Sequence, residues 1–180
     1  MNDGQKCAPA KAIADIAIRR ASPDDMDALM HVYASARSYM AACGNPNQWN
    51  AAYPSRELLM DDMRKEQLYV CCAQDGRVCG AFVLALGDDP TYASIEGGKW
   101  LNDEPYGTIH RVASDGSARG LFAACMRFAL ERCAQLRIDT HEDNRVMRAL
   151  IERSGFVRCG IIYVADGTPR IAYQYAHGER

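Results

Sequence analysis

The sequence predicts an α/β domain with a mixed, partly antiparallel sheet and helices on both faces. Three observations carry this. Strand-length apolar or alternating runs interleave with helical patterns in the order β-α-α-β-β-β-α-β-α-β-β. Two apolar runs flank Asp75-Gly76, which reads as a hairpin and makes part of the sheet antiparallel. Two later helical patterns stand between strands as crossovers, which parallel neighbours require.

Residues 1–10 are polar and read as a flexible tail ahead of a single domain over 11–176. Asp15-Ile16-Ala17-Ile18-Arg19 alternates as a first strand. Ser22-Pro23-Asp24-Asp25 starts a helix: Ser22 caps, Pro23 fits the first helical position and Asp25 closes a capping box. Met26, Leu29, Met30, Tyr33 and Met40 recur at helical spacing until Gly44-Asn45-Pro46-Asn47 ends the pattern. A loop with Trp49 and Tyr53 follows, and Ser55 caps a second helix near 56–66. Leu68–Ala73 and Val78–Leu86 are the hairpin strands, 87–105 is mixed, and Tyr106–Ala113 is a strand. Leu121, Phe122, Cys125, Met126, Ala129 and Cys133 form the apolar face of a third helix, followed by the strand Leu136–Asp139. Asp143 or Asn144 opens a fourth helix carrying Met147, Leu150 and Ile151, and Ser154-Gly155 stops it. Val157–Tyr163 and Arg170–Tyr175 are strands around Asp166-Gly167-Thr168-Pro169.

The 180 residues suit one domain, and a net charge of -2 leaves no basic footprint for nucleic acid. No apolar run approaches the ~20 residues of a membrane span, and no polybasic helix marks a membrane surface. Cysteines stand at 7, 43, 71, 72, 79, 125, 133 and 159. They do not read as a disulfide framework, because a chain this long needs no staples and the first residues hold no apolar signal segment. Cys71, Cys72, Cys79, Cys125 and Cys133 lie in apolar runs, where a reduced cysteine acts as a small hydrophobe. That usage points to the cytoplasm. No CxxC pair or zinc-spaced Cys/His cluster occurs, so no metal is expected.

The turn Asp115-Gly116-Ser117-Ala118-Arg119-Gly120 follows a strand and opens a helix. Free backbone N–H groups and the helix dipole make such a turn an anion site, and the bland alternative is an ordinary tight turn. Val112–Phe122 resembles the acetyl-CoA motif of the GNAT N-acetyltransferases. The resemblance extends to the strand Leu136-Arg137-Ile138, to Asn144, to Met147-Arg148-Ala149-Leu150 and to Gly155-Phe156, and covers about residues 14–175. It implies the GNAT acyl-CoA N-acyltransferase fold, a mixed and mostly antiparallel sheet with helices on both faces. The family pattern has Arg or Gln, two residues, Gly, one residue, then Gly or Ala; those positions hold Ser117, Gly120 and Phe122. Arg119 is the candidate replacement for the missing arginine. Many members carry a tyrosine seven residues after the asparagine, which protonates the leaving thiolate, and Ile151 stands there.

The resemblance implies direct acyl transfer from acetyl-CoA to an amine of a small molecule or peptide. The strand ending at Val112 would splay from Leu136–Asp139 to admit the pantetheine arm. Val112, Ser117, Ala118, Arg119, Gly120, Leu121, Phe122 and Asn144 would contact the cosubstrate, and a backbone N–H near Val112 would hold the oxyanion. His110 is the candidate base, with a structural histidine paired to Asp or Glu as the alternative. Glu96 is a second candidate through water, with a solvated loop carboxylate as the alternative, and His141 reads first as part of the helix-capping neighbourhood and second as a possible acid. Strict alternation puts His110 and Val112 on one face and Arg111 on the other; a β-bulge would invert this. Tyr33, Trp49, Trp100 and Tyr106 come from segments that flank the acceptor groove in the family; Tyr33, on a helical apolar stripe, reads first as core, and Trp49 and Trp100 read equally as pocket or as packing. Two other classes remain open at this level: a silent acyl-CoA-binding module and an interaction domain without cosubstrate. A homodimer is open as well.

Overall fold

The computed structural model describes residues 16–176. The tail expected over 1–10, the domain's first residues 11–15 with Asp15, Cys7 and His177 lie outside the described residues.

The strands are β1 (Ala17–Arg20), β2 (Leu68–Cys72), β3 (Val78–Leu86), β4 (Gly107–Ser114), β5 (Gln135–Thr140), β6 (Val157–Tyr163) and β7 (Pro169–Ala176). The helices are α1 (Met26–Ala42), α2 (Arg56–Arg64), α3 (Leu121–Leu130) and α4 (Arg145–Arg153). Single 3-10 turns stand at Pro23–Asp25 and Pro90–Tyr92. The start of α1 follows its sequence signal. The Ser22 backbone N–H and hydroxyl both donate to Asp25 Oδ2, at 2.8 and 3.1 Å, while both terminal nitrogens of Arg19 donate to the same carboxylate at 2.7 Å. Ser55 caps α2 by accepting from the Leu58 N–H at 3.2 Å.

The strands form one sheet in the order β1-β2-β3-β4-β5-β7-β6. Neighbours are antiparallel except β4 and β5, which α3 joins as a crossover. Side-chain alternation on β3 sorts the core into two layers. Ala81 and Val83 pack with Leu29, Val32, Tyr33 and Leu59 under α1 and α2. Phe82 and Leu84 pack with Leu121, Phe122, Cys125 and Ile151 under α3 and α4. The mixed segment 87–105 covers the outer end of the sheet. Glu96 exchanges two 2.8 Å backbone bonds with Ile161, and Tyr92, Tyr106, Ile162 and Ala172 form a third buried cluster beneath it. That bridge protects the edge strand β6.

Strict alternation fails on β4. Val83 faces His110 and Ala81 faces Ala113, so β4 carries one residue more than β3 over this stretch. The extra residue is a β-bulge, with Arg111 at φ 51°. His110 therefore lies on the face of Ala113, beneath α1 and α2, while Val112 packs towards α3 and α4. His110 and Val112 are on opposite faces, because the bulge inserts half a strand period between them.

Candidate functional site

The register of β4 with β5 runs from Gly107↔Leu136 to Ile109↔Ile138 and stops. Beyond it, β4 continues to Ser114 and β5 to Thr140 as separate edges. A parallel pair that opens in mid-sheet leaves backbone groups available to a ligand. Two cavities reach this opening, and Met40, Val112, Asn144 and Met147 line both.

The first cavity, about 320 Å³, lies between α1, the end of β4, the start of α3 and α4. Its walls are mostly apolar, with Ala36, Leu121, Phe122, Val146 and Leu150 among them. The start of α3 forms its polar end. Gly120 caps this helix at φ 80°, a left-handed conformation that glycine adopts without a Cβ clash. The backbone N–H groups of Ala118, Arg119, Gly120, Leu121, Phe122 and Ala123 have no hydrogen-bond partner among the described residues. Six unpartnered donors at a helix N-terminus suit a pyrophosphate. Gly80 lets α3 approach the sheet: a Cβ there would stand 2.0 Å from Leu121 Cδ1 and 2.8 Å from the Ala113 carbonyl.

The turn before α3 is braced from the hairpin. Arg77 donates to Asp115 Oδ2 at 2.7 Å and to the Ser117 hydroxyl at 3.1 Å. Burial alone would raise the Asp115 carboxyl, but bonds from Ser117 and Arg77 hold it below its ordinary value.

The second cavity, about 940 Å³, is a groove between the 48–62 segment, the 88–91 segment and the ends of β4 and β5. His110 stands in its wall. Its Nε2 is 2.8 Å from Asp89 Oδ2, and its Nδ1 is 3.9 Å from Asp139 Oδ1. The hydrogen bond from His110 holds the Asp89 carboxyl down at about 2, against the opposing effect of burial. Asp139 accepts from the buried Tyr92 hydroxyl at 2.6 Å, and its Oδ2 is 3.9 Å from Arg170 Nε. Burial raises the Tyr92 phenol well above its usual range, so it remains a donor. Asp62 and Arg111 form a buried ion pair in the same wall.

The expected site residues divide clearly. Val112, Gly120, Leu121 and Phe122 line the first cavity, and His110 and Trp49 line the second. Ala118 and Arg119 offer free N–H groups, while the Arg119 side chain is exposed. Ser117 departs from its expected role: its N–H and hydroxyl both donate to Asp115, so neither is free for a phosphate. Asn144 lines both cavities with its side chain already engaged. Its Oδ1 caps α4 at Met147 N, 3.1 Å, and its Nδ2 donates to Gln48 Oε1 at 2.9 Å.

Four candidate residues stand outside both cavities. Glu96 is exposed and lines neither cavity, because its backbone bridge to Ile161 fixes it on the β6 edge, where it accepts from Tyr163 at 2.9 Å. Trp100 and Tyr106 sandwich the Arg137 guanidinium, 3.9 and 3.8 Å from their ring centres, and belong to the third buried cluster. Tyr33 is fully buried against Trp49 and lines neither cavity. Ile151, at the family tyrosine position, is also fully buried in the core under α3 and α4. His141, the possible acid, accepts from the Asp143 N–H at 3.2 Å. Sequence reading missed Asp89, Asp139, Asp62, Arg77 and Gln48. The Pro90 helix start after Asp89 was a signal; the others are separated from their partners by long stretches of chain.

The sheet is open, seven-stranded and mixed, and a donor-lined helix start lies beside its split pair. The model of the acetyltransferase (GNAT) family matches residues 28–156. The chain belongs to the GNAT family of acetyltransferases. A GNAT-family acetyltransferase structure from Streptococcus agalactiae is 30% identical, with 91% of this chain and 96% of that chain covered and a TM-score of 0.81. One from Listeria monocytogenes is 17% identical over 89% and 94% of the two chains, TM-score 0.65. One from Bacillus anthracis is 13% identical over 92% and 98%, TM-score 0.62. No curated protein matches the chain. Among the described residues no helix is long and apolar enough to cross a membrane, and no group of three or more His, Cys, Asp or Glu side chains suits a metal ion.

Proposed function

We propose that the protein transfers an acetyl group from acetyl-CoA directly to an amine of a small molecule or peptide. The observation that carries this is the meeting of the two cavities at Val112, on the bulged edge of the split sheet. The first cavity fits the cosubstrate, with unpartnered N–H groups for the pyrophosphate and apolar walls for the pantetheine arm. The groove holds the amine. The Val112 N–H polarises the thioester carbonyl and stabilises the oxyanion as the amine nitrogen attacks.

His110 takes the proton that the attacking amine gives up. Asp89 engages Nε2, which leaves Nδ1, 3.9 Å from Asp139 Oδ1, as the accepting atom. The C–S bond then breaks and the thiolate leaves. A thiol of pKa ~8.5 needs only modest help to leave as thiolate, so a buried Ile151 in place of a phenol is compatible with turnover. Five buried cysteines packed as small apolar groups support a reducing, cytoplasmic setting.

The test is a screen of amines for thiol release from acetyl-CoA. The reading requires release that depends on the amine and acetylated product in equal amount. Binding of CoA with no amine-dependent release across primary amines and amine-bearing peptides would sink it.

A further inference from the structure

Arg111 holds φ 51°, a conformation that residues other than glycine keep only when their surroundings fix it. Three contacts do so. Arg111 Nη2 donates to both carboxylate oxygens of Asp62 on α2, 2.7 Å each. Nη1 donates to the Tyr53 hydroxyl at 3.2 Å. The Arg111 carbonyl accepts from the Tyr33 hydroxyl on α1 at 3.1 Å. Asp62 is 1% exposed and also receives the Gln67 amide at 2.9 Å, so it has no free face for a ligand. Burial raises the Tyr33 phenol above its ordinary range, which keeps it a donor at any assay pH.

The direction of the Val112 N–H follows. In a planar trans peptide the carbonyl and the next N–H point opposite ways. Tyr33 draws the Arg111 carbonyl towards α1, so the Val112 N–H points away from α1. Neither Arg111 nor Val112 has a register partner on β3 or β5, so strand pairing does not fix this peptide. Val112 lines both cavities.

Resting on the acyl-transfer reading above, we propose that Tyr33 and Asp62 are positioning residues for the reaction: together they lock the Arg111–Val112 peptide so that the Val112 N–H meets the acyl oxygen. Tyr33 lines neither cavity, and the Asp62 carboxylate, though in the groove wall, is engaged by Arg111 and Gln67. Arg111, already matched by Asp62, is not a receptor for an acceptor carboxylate.

Tyr33→Phe removes only the hydroxyl and keeps the ring. It should lower kcat about tenfold or more, a fraction of the loss when an oxyanion donor is removed outright, with the affinity for CoA within about twofold. Asp62→Asn should lower kcat further. Adding Arg111→Gly to Asp62→Asn should restore part of that loss per CoA-binding site, because glycine keeps a positive φ without the clamp. The Val112 amide resonance gives a readout besides rate. In the wild type, acetyl-CoA should shift it; in Tyr33→Phe the shift should shrink. A wild-type amide that ignores acetyl-CoA overturns the site reading itself. A wild-type shift, with Tyr33→Phe keeping both shift and kcat, overturns the clamp alone. A double variant no better than Asp62→Asn also counts against it.

Discussion

His110 shows how much a single residue depends on distant sequence. One ring nitrogen meets Asp89, 21 positions away, and the other faces Asp139 on the next strand of the sheet. His110→Ala should lower turnover about 100-fold or more, the range for a lost general base, with CoA affinity nearly intact. Loss of CoA binding along with turnover would mark the histidine as structural. Asp89 also links the site to stability. Its carboxyl falls from 3.8 to about 2 on folding, so its contribution is present above the unfolded value and is lost as pH falls through the folded one. The Tm gap between wild type and Asp89→Asn should therefore be open at about pH 5 and close as pH falls towards ~2. A gap that widens on acidification would contradict this sign. Ile151 carries a different expectation. Because it has no exposed surface, Ile151→Tyr must overfill the core and bury a hydroxyl, at about 1–3 kcal/mol of stability, and change the rate tenfold or less. Thermal melts and initial rates on the same preparation check both.

Elements were far more legible than contacts. The Ser22 box, the Ser55 cap and the Asp75-Gly76 turn are local signals, and each marks the start or turn it announces. The helix at Leu121 was readable from its apolar face, and the turn before it from its glycines. The β4 bulge was not readable, because it is set by Asp62 and Tyr33, whose contacts with Arg111 span 49 and 78 positions. Trp100 and Tyr106 misled for a related reason: Arg137, which draws them inward, stands on β5 far along the chain. The start of α3 gives the prediction at this scale. Gly120→Asp adds a carboxylate among the free N–H groups and should abolish CoA binding. Gly80→Ala should instead destabilise the fold, since its Cβ meets both a side chain and the Ala113 carbonyl. Titration calorimetry separates the two: a Gly120→Asp protein that binds CoA like the wild type removes the turn from the site.

At the scale of the whole molecule, the split between β4 and β5 joins two cavities that different helices cover. α1 and α4 wall the apolar one, and the 48–62 segment with the 88–91 segment walls the groove. Both substrates can then be bound at once, and the acyl group need never rest on the protein. Among the described residues Cys71, Cys72, Cys79, Cys125 and Cys159 are buried while Cys133 is only half-buried, and burial raises the Cys79, Cys125 and Cys159 thiols, which makes them poor nucleophiles. The measurement that bears most directly on this account is the initial rate of thiol release with acetyl-CoA and a responsive amine varied together. Direct transfer at Val112 predicts intersecting reciprocal plots and no acetyl label on the denatured protein. Parallel plots, with label retained on a cysteine, would contradict it.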